Sequence, residues 1–178
     1  MRCRALVLLI AFGGLALARC DAATATTTQT LTAAIGALAK VSVPSGLALS
    51  PTGTFFSPFT ASMTMNYKAR TTSSGSGNIT TKATADFTPS GGPSISSGQL
   101  TYTCSGATLG TTCSSTLTVS TTSATSVISL PASACTGGGA PCSTANPNSV
   151  SLGFSLTNSP GSSTGTYQVT LQFTASAI

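Results

Sequence analysis

Apolar side chains recur at every second position over long stretches of this chain, which is the period of a β-strand with one buried face. The longest run falls early, between residues 31 and 43. A helix would not place these side chains on one face. The run therefore predicts one long strand, whose apolar members are Leu31, Ala33, Ile35, Ala37, Ala39, Val41 and Val43.

The same alternation returns at intervals, separated by Ser, Gly and Pro clusters that are typical of turns. The sequence predicts a hairpin formed by residues 63–69 and 79–87. It predicts a second pair of strands, 150–156 and 167–175, around the turn at 158–161. Further strands are predicted in the intervening part of the chain, over 100–104, 113–119 and 128–130.

These segments predict an all-β fold: an antiparallel, Ig-like β-sandwich of about 7–9 strands, following a cleaved signal peptide. A closed barrel is the alternative arrangement. The bulkiest expected core residues are Phe87, Tyr102, Phe154, Tyr167 and Phe173.

Composition supports strands over helices and over disorder. Ser and Thr account for 61 of the 178 residues, whereas charged residues are only 5% and Glu is missing. Thr is β-branched and Ser competes with helical hydrogen bonds, so both disfavour helices. Disordered chains combine high charge with few apolar residues, but here 40% of residues are hydrophobic.

The N-terminus has the pattern of a bacterial export signal. Arg2 and Arg4 precede an apolar run that ends in the small-residue motif at 16–18. Residues 1–23 are predicted to be a signal peptide cleaved between 18 and 25, leaving 24–178 as a single domain. The apolar run is too short for a permanent span, so no transmembrane segment is expected in the mature protein. The expected location is secreted, periplasmic or at the cell surface.

Cys20 leaves two alternatives open. Bacterial lipoproteins are cut just before a lipidated cysteine, and residues 17–20 resemble that signal apart from Arg19. Cys20 is therefore a candidate lipidation site. The alternative is that cleavage further along removes it.

Four late cysteines predict a disulfide framework, because exported chains with an even cysteine count commonly form bridges. Cys104 with Cys113 and Cys135 with Cys142 are the favoured pairs, since each closes a short loop of small residues. The first bridge is expected to tie two adjacent strands near their shared turn. The gaps of eight and six residues do not fit the paired spacings of a zinc site.

No catalytic, metal or cofactor site is predicted. The chain has no His, which removes the usual general base and zinc ligand. The predicted domain has one acid, Asp86, so neither a carboxylate pair nor a charged calcium site can form, and a solvent-facing strand position is expected for it.

The basic residues are too few and too scattered to predict nucleic-acid binding. Residues 24–178 carry a net charge of +3, from Lys40, Lys68, Arg70 and Lys82 against Asp86. A phosphate-binding surface requires clustered cations, preferably with aromatic residues between them.

The segment Gly165-Thr166-Tyr167-Gln168-Val169-Thr170-Leu171-Gln172-Phe173-Thr174 resembles the closing strand of bacterial secreted Ig-like proteins of the pilin-like and spore coat U type. The resemblance implies an exported structural subunit whose copies, or other surface proteins, are its partners through strand exchange. The strand at 31–43 is then the candidate donor, although pairing within its own domain is favoured.

The second hypothesis is a secreted binding module that recognises a glycan or protein partner through its loops. Carbohydrate sites usually present exposed aromatic rings, but the chain has no Trp and only 6% aromatic residues. Phe55 and Phe56 are the exception, because adjacent strand residues point to opposite faces and one of the two could be exposed. The favoured interpretation is that they anchor a loop.

Overall fold

The computed structural model describes residues 28–135, 142 and 147–178. The expected signal peptide at 1–23, its cleavage region up to residue 25 and the candidate lipidation site Cys20 lie outside the described residues.

Ten β-strands form within the described residues. Their inward positions alternate with outward ones, as the apolar pattern requires. The strands are β1 (Leu38–Ser42), β2 (Ser50–Pro51), β3 (Phe59–Arg70), β4 (Gly77–Ala83), β5 (Leu100–Ser105), β6 (Thr111–Thr112), β7 (Leu117–Thr118), β8 (Thr125–Leu130), β9 (Asn148–Leu156) and β10 (Leu171–Ala177).

The strands make two antiparallel sheets. The six-stranded sheet has the order β1-β3-β9-β5-β7, and β2 pairs with the first residues of β3. The four-stranded sheet has the order β10-β4-β8-β6. Side chains from both sheets form one apolar core. The predicted all-β antiparallel sandwich is confirmed.

The core contains three of the five bulky residues expected there, because Phe87, Tyr102 and Phe154 are buried. Met65, Ile79 and Leu152 are completely enclosed. Tyr102 and Phe154 lie opposite each other on β5 and β9, with ring centroids 6.1 Å apart. Tyr167 and Phe173 are only partly buried at the margin of this core.

Both predicted hairpins are wrong. β3 lies in the six-stranded sheet and β4 in the four-stranded sheet, and the same is true of β9 and β10. Each connection passes from one sheet to the other, so the second strand does not pair with the first. Alternation could not reveal this, because it reports which side chains face the core and is the same for strands of either sheet. β10 also begins at Leu171, later than expected.

The predicted strand over 31–43 is too long. Only its later part, β1, has strand structure, and β1 pairs antiparallel with the second half of β3. Residues 28–37 precede it without regular structure. Pairing within the domain therefore occurs, but residues 31–37 of the alternating run lie outside the sheet.

Both disulfides join the favoured partners, with Cα–Cα distances of 5.5 Å for Cys104–Cys113 and 5.1 Å for Cys135–Cys142. The expected position of the first bridge is wrong. Cys104 lies in β5 of the six-stranded sheet, whereas the Cys113 N–H donates to the Val127 carbonyl oxygen in β8 of the four-stranded sheet. This bridge therefore links the two sheets.

Candidate functional site

The first half of the alternating run is exposed apolar chain. Leu31 is 87% exposed and Ile35 is 75% exposed, and no residue from 28 to 37 belongs to a strand. We call residues 31–37 the alternating segment. Single exposed apolar residues are ordinary on a protein surface. Exposed apolar residues at alternating positions, in a segment that belongs to no sheet, are typical of a strand that lacks its partner.

One long side of β10 has no paired strand in the described part of the chain, although β1 of the other sheet packs close to β10. β10 ends the four-stranded sheet, and β4 is its one strand partner among the described residues. Its inward side chains Leu171, Phe173 and Ala175 are only half-buried, although they pack against the core. The inward residues of neighbouring β4 are fully buried. We call Leu171–Ala177 the open edge; it offers backbone groups and apolar surface together.

A groove of about 1230 Å³ lies beside the start of the open edge. Its apolar lining includes Phe59 from β3 and Leu156 from β9, which are both strands of the six-stranded sheet. The chain at 45–49 and the loop at 157–170 form its sides. Many of the loop residues are Ser and Thr, so the groove has an apolar floor and a hydroxyl-rich rim.

Tyr167 forms one wall of this groove, and its position depends on a glycine. A Cβ placed on Gly92 would come within 2.1 Å of the Tyr167 ring, so only glycine lets the ring lie there. The Tyr167 hydroxyl donates to the Ser163 carbonyl oxygen at 2.7 Å. Ring and loop are thus fixed to each other. The sequence placed Tyr167 in a strand core and gave no sign of this role.

A closed loop presents two aromatic side chains near the groove. Thr52 donates from its backbone N–H (3.1 Å) and its Oγ1 (3.0 Å) to the Pro58 carbonyl oxygen, which closes the loop. Phe55 at its tip is 94% exposed. Phe56 is also exposed, has a φ of 57° and lines the groove. The sequence favoured a loop anchor, with one exposed ring as the alternative, whereas both rings are exposed.

Positive φ is rare for a bulky side chain, so Phe56 holds backbone strain that the loop contacts must offset. The Ser57 hydroxyl supplies one such contact, donating to the Thr54 carbonyl oxygen at 2.6 Å. A fixed aromatic tip requires little ordering when it binds a partner.

Two buried tyrosines outside the groove serve the fold. Tyr67 and Tyr102 have raised pKa values, chiefly because burial disfavours the phenolate. Their hydroxyls bond to Leu109 and to Thr125 respectively. Within the ranges that the structure describes, no three His, Cys, Asp or Glu side chains come together as a metal site.

Asp86 is not the solvent-facing strand residue that the sequence suggested. It follows β4 in a loop, where its carboxylate accepts hydrogen bonds from the backbone of Phe87 and Ile95 and from the Ser94 hydroxyl. Partial burial acts to raise its pKa, but these hydrogen bonds together lower it. Asp86 fixes a loop and faces no second carboxylate in the described part of the chain.

The arrangement is suited to non-covalent binding of extended apolar chain. The open edge supplies backbone hydrogen-bonding groups, and the groove supplies apolar contacts for alternate side chains. No helix in the described ranges has the length and apolar character to span a membrane. The two disulfides are those of a protein from an oxidising, extracytoplasmic compartment.

Comparison with protein-family models, curated proteins and solved structures found no match to this chain.

Proposed function

We propose that this chain is an exported, non-catalytic structural or adhesive surface protein, and that its copies associate by strand addition. In this association the alternating segment of one copy pairs with the open edge of another. One observation carries the proposal. The same chain contains an apolar alternating segment that is in no sheet and an open edge whose inward side chains are only half-buried.

The two surfaces match in length and period. The alternating segment has seven residues, 31–37, and β10 also has seven, Leu171–Ala177. In an extended pairing both span roughly 23 Å, at about 3.3 Å per residue. Apolar residues at odd positions of the segment would then face the half-buried side chains of β10.

The expected strength of this contact is modest. Burying Leu31 and Ile35 would contribute about 1.5 to 3 kcal/mol each. Association costs several kcal/mol in lost translational and rotational freedom. Backbone pairing along β10 must therefore supply part of the stability, which is why the free edge is necessary to the proposal.

Size-exclusion chromatography with light scattering on the full chain, as processed by the exporting cell, tests this function. We expect oligomers that grow with protein concentration and that disappear in the Leu31→Ser/Ile35→Ser double variant. Phe55→Ser is the matched control, because Phe55 is equally exposed but lies outside both surfaces. Oligomers unaffected by the double variant, or a monomer at every concentration, would contradict strand addition.

The alternative function is a secreted binding module for a glycan or protein partner, and the loop that presents Phe55 favours it. Under this alternative the monomer binds its partner, and Phe55→Ser removes binding while Leu31→Ser/Ile35→Ser leaves it intact. Measuring oligomer size and glycan binding on the same two variants separates the two functions.

A further inference from the structure

Three of the four basic side chains that the structure describes lie at one corner of the six-stranded sheet. Lys40 of β1 is directly opposite Lys68 of β3, and Arg70 follows two positions later on the same strand. All three belong to the outward face, because the intervening Tyr67 and Ala69 are buried. We call Lys40, Lys68 and Arg70 the basic corner. Lys82 lies apart, on β4 of the other sheet.

This clustering is unfavourable for the sheet itself. Like charges directly opposite each other on antiparallel strands destabilise the pairing. The single acidic side chain in the described ranges, Asp86, is bound by its own loop. An external anion at this corner would complement the charges of Lys40 and Arg70.

Arg70 is held in a fixed orientation. Its Nε and Nη2 donate to the Gly36 carbonyl oxygen at 3.2 and 3.0 Å. These bonds leave the remaining guanidinium donors for a ligand and place the chain around Ile35 next to the basic corner. A positioned guanidinium loses less conformational freedom on binding phosphate than a free one.

Exposed aliphatic side chains adjoin the charges. Leu38 lies opposite Arg70 and shares the outward face of β1 with Lys40, and it is 62% exposed. Ile35 is also exposed, and it precedes Gly36, whose carbonyl oxygen accepts from Arg70. Cations next to exposed aliphatic groups are the combination that binds the headgroup region of an anionic membrane. Nucleic-acid surfaces use aromatic rings between the cations, and Tyr67 points into the core.

We propose that the basic corner and Leu38 bind the phosphate headgroups of an anionic phospholipid bilayer, with Leu38 inserted among them. The chain would then be a peripheral membrane-surface protein. This goes beyond the proposed function, because it assigns where the protein is held rather than how its copies associate.

Sedimentation with phospholipid vesicles tests the proposal on the exported form of the full chain. We expect binding to phosphatidylglycerol-containing vesicles that weakens with salt, and little binding to pure phosphatidylcholine vesicles. Each cation near an anionic surface contributes about a fivefold change in partitioning. Lys40→Gln/Arg70→Gln should therefore lower binding roughly 25-fold, at about fivefold per charge.

Lys82→Gln is the matched control, since it removes one charge from the other sheet and should change binding less than twofold. Leu38→Ser should weaken vesicle binding even at salt concentrations where the charge contribution is screened. Thermal unfolding of each variant verifies that the sandwich is intact.

Three results would overturn the proposal: equal binding to neutral vesicles, an equal loss in Lys82→Gln, or binding of soluble polyphosphate without binding of vesicles. The last result would indicate a soluble polyanion as ligand. Oligomerisation is measured without lipid, so membrane binding and strand addition can fail independently. Lys40→Gln, which leaves the bonds between Arg70 and Gly36 in place, should retain the oligomers that Leu31→Ser/Ile35→Ser loses.

Discussion

Two buried threonines differ in how well their hydroxyls are accommodated. Thr71 and Thr81 are each 1% exposed. The Thr71 Oγ1 donates to the Pro131 carbonyl oxygen and accepts the Ala134 N–H, both at 2.8 Å. Within the described part of the chain, the Thr81 Oγ1 has no hydrogen-bond partner. A chain with 61 Ser and Thr residues gives no indication of which hydroxyls are buried or bonded.

Substituting valine for each threonine should therefore have opposite effects on stability. Thr71→Val leaves the Ala134 N–H without its partner and should lower the free energy of unfolding by about 1 to 3 kcal/mol. Thr81→Val removes an unpaired hydroxyl and should be neutral or stabilising by up to about 1 kcal/mol. Urea unfolding at pH 7 measures both. A loss in Thr81→Val equal to that in Thr71→Val would show that Thr81 has a partner after all.

At the scale of the elements, one carboxylate orders the connection between β4 and β5. The Asp86 carboxylate accepts hydrogen bonds from the Phe87 and Ile95 N–H groups and from the Ser94 hydroxyl. These bonds join the two ends of the turn at 86–95. The hydrogen bonds favour the charged form, which is why its pKa is lowered from 3.8 in spite of partial burial.

The free energy of unfolding should consequently depend on pH through the titration of the Asp86 carboxyl group. A pKa that is lower in the folded chain gives stabilisation that is complete above the unfolded-state pKa. That stabilisation is lost as the pH falls through the folded-state pKa. We expect the urea midpoint to fall between about pH 5 and pH 2, where Lys and Arg do not titrate. Asp86→Asn should flatten this dependence. A wild-type midpoint that stays constant down to pH 2 would contradict the loop-ordering role.

At the scale of the whole molecule, the chain repeatedly crosses between the two sheets. It passes from β5 to β6 in the other sheet and then back to β7. The Cys104–Cys113 bridge closes the first of these crossings. The Cys135–Cys142 bridge instead closes a loop after β8. Two bridges with similar loop lengths thus restrain different parts of the fold.

Removing each bridge should cost a similar free energy but loosen different regions. Closing loops with separations of 9 and 7 residues stabilises a chain by about 2 to 3 kcal/mol each. Cys104→Ser/Cys113→Ser should speed hydrogen exchange in β5 and β8, on both sheets. Cys135→Ser/Cys142→Ser is the control and should leave those strands protected. Exchange that accelerates in the same strands for both variants would contradict the inter-sheet role of the first bridge.

The candidate site was only partly predictable. The alternating segment was visible in the sequence, because strand periodicity is local. The open edge was not, because a strand becomes an edge only through the order in which distant strands pair. The basic corner shows the same limit: Lys40 and Lys68 are far apart in sequence and become neighbours only when β1 pairs with β3. The groove depends on a loop whose path brings Tyr167 against Gly92.

The sequence by itself determined the all-β class, the core-facing positions of most strands and the two favoured cysteine pairs. Each of these follows from contacts between residues near one another along the chain. Tertiary structure alone decided that β3 and β4 lie in different sheets, as do β9 and β10. It also decided that the alternating run enters a sheet only from Leu38, where β1 begins, and that Cys104–Cys113 links the two sheets. The reason is that either sheet can bury the same apolar face. Only the simultaneous packing of all ten strands selects their partners.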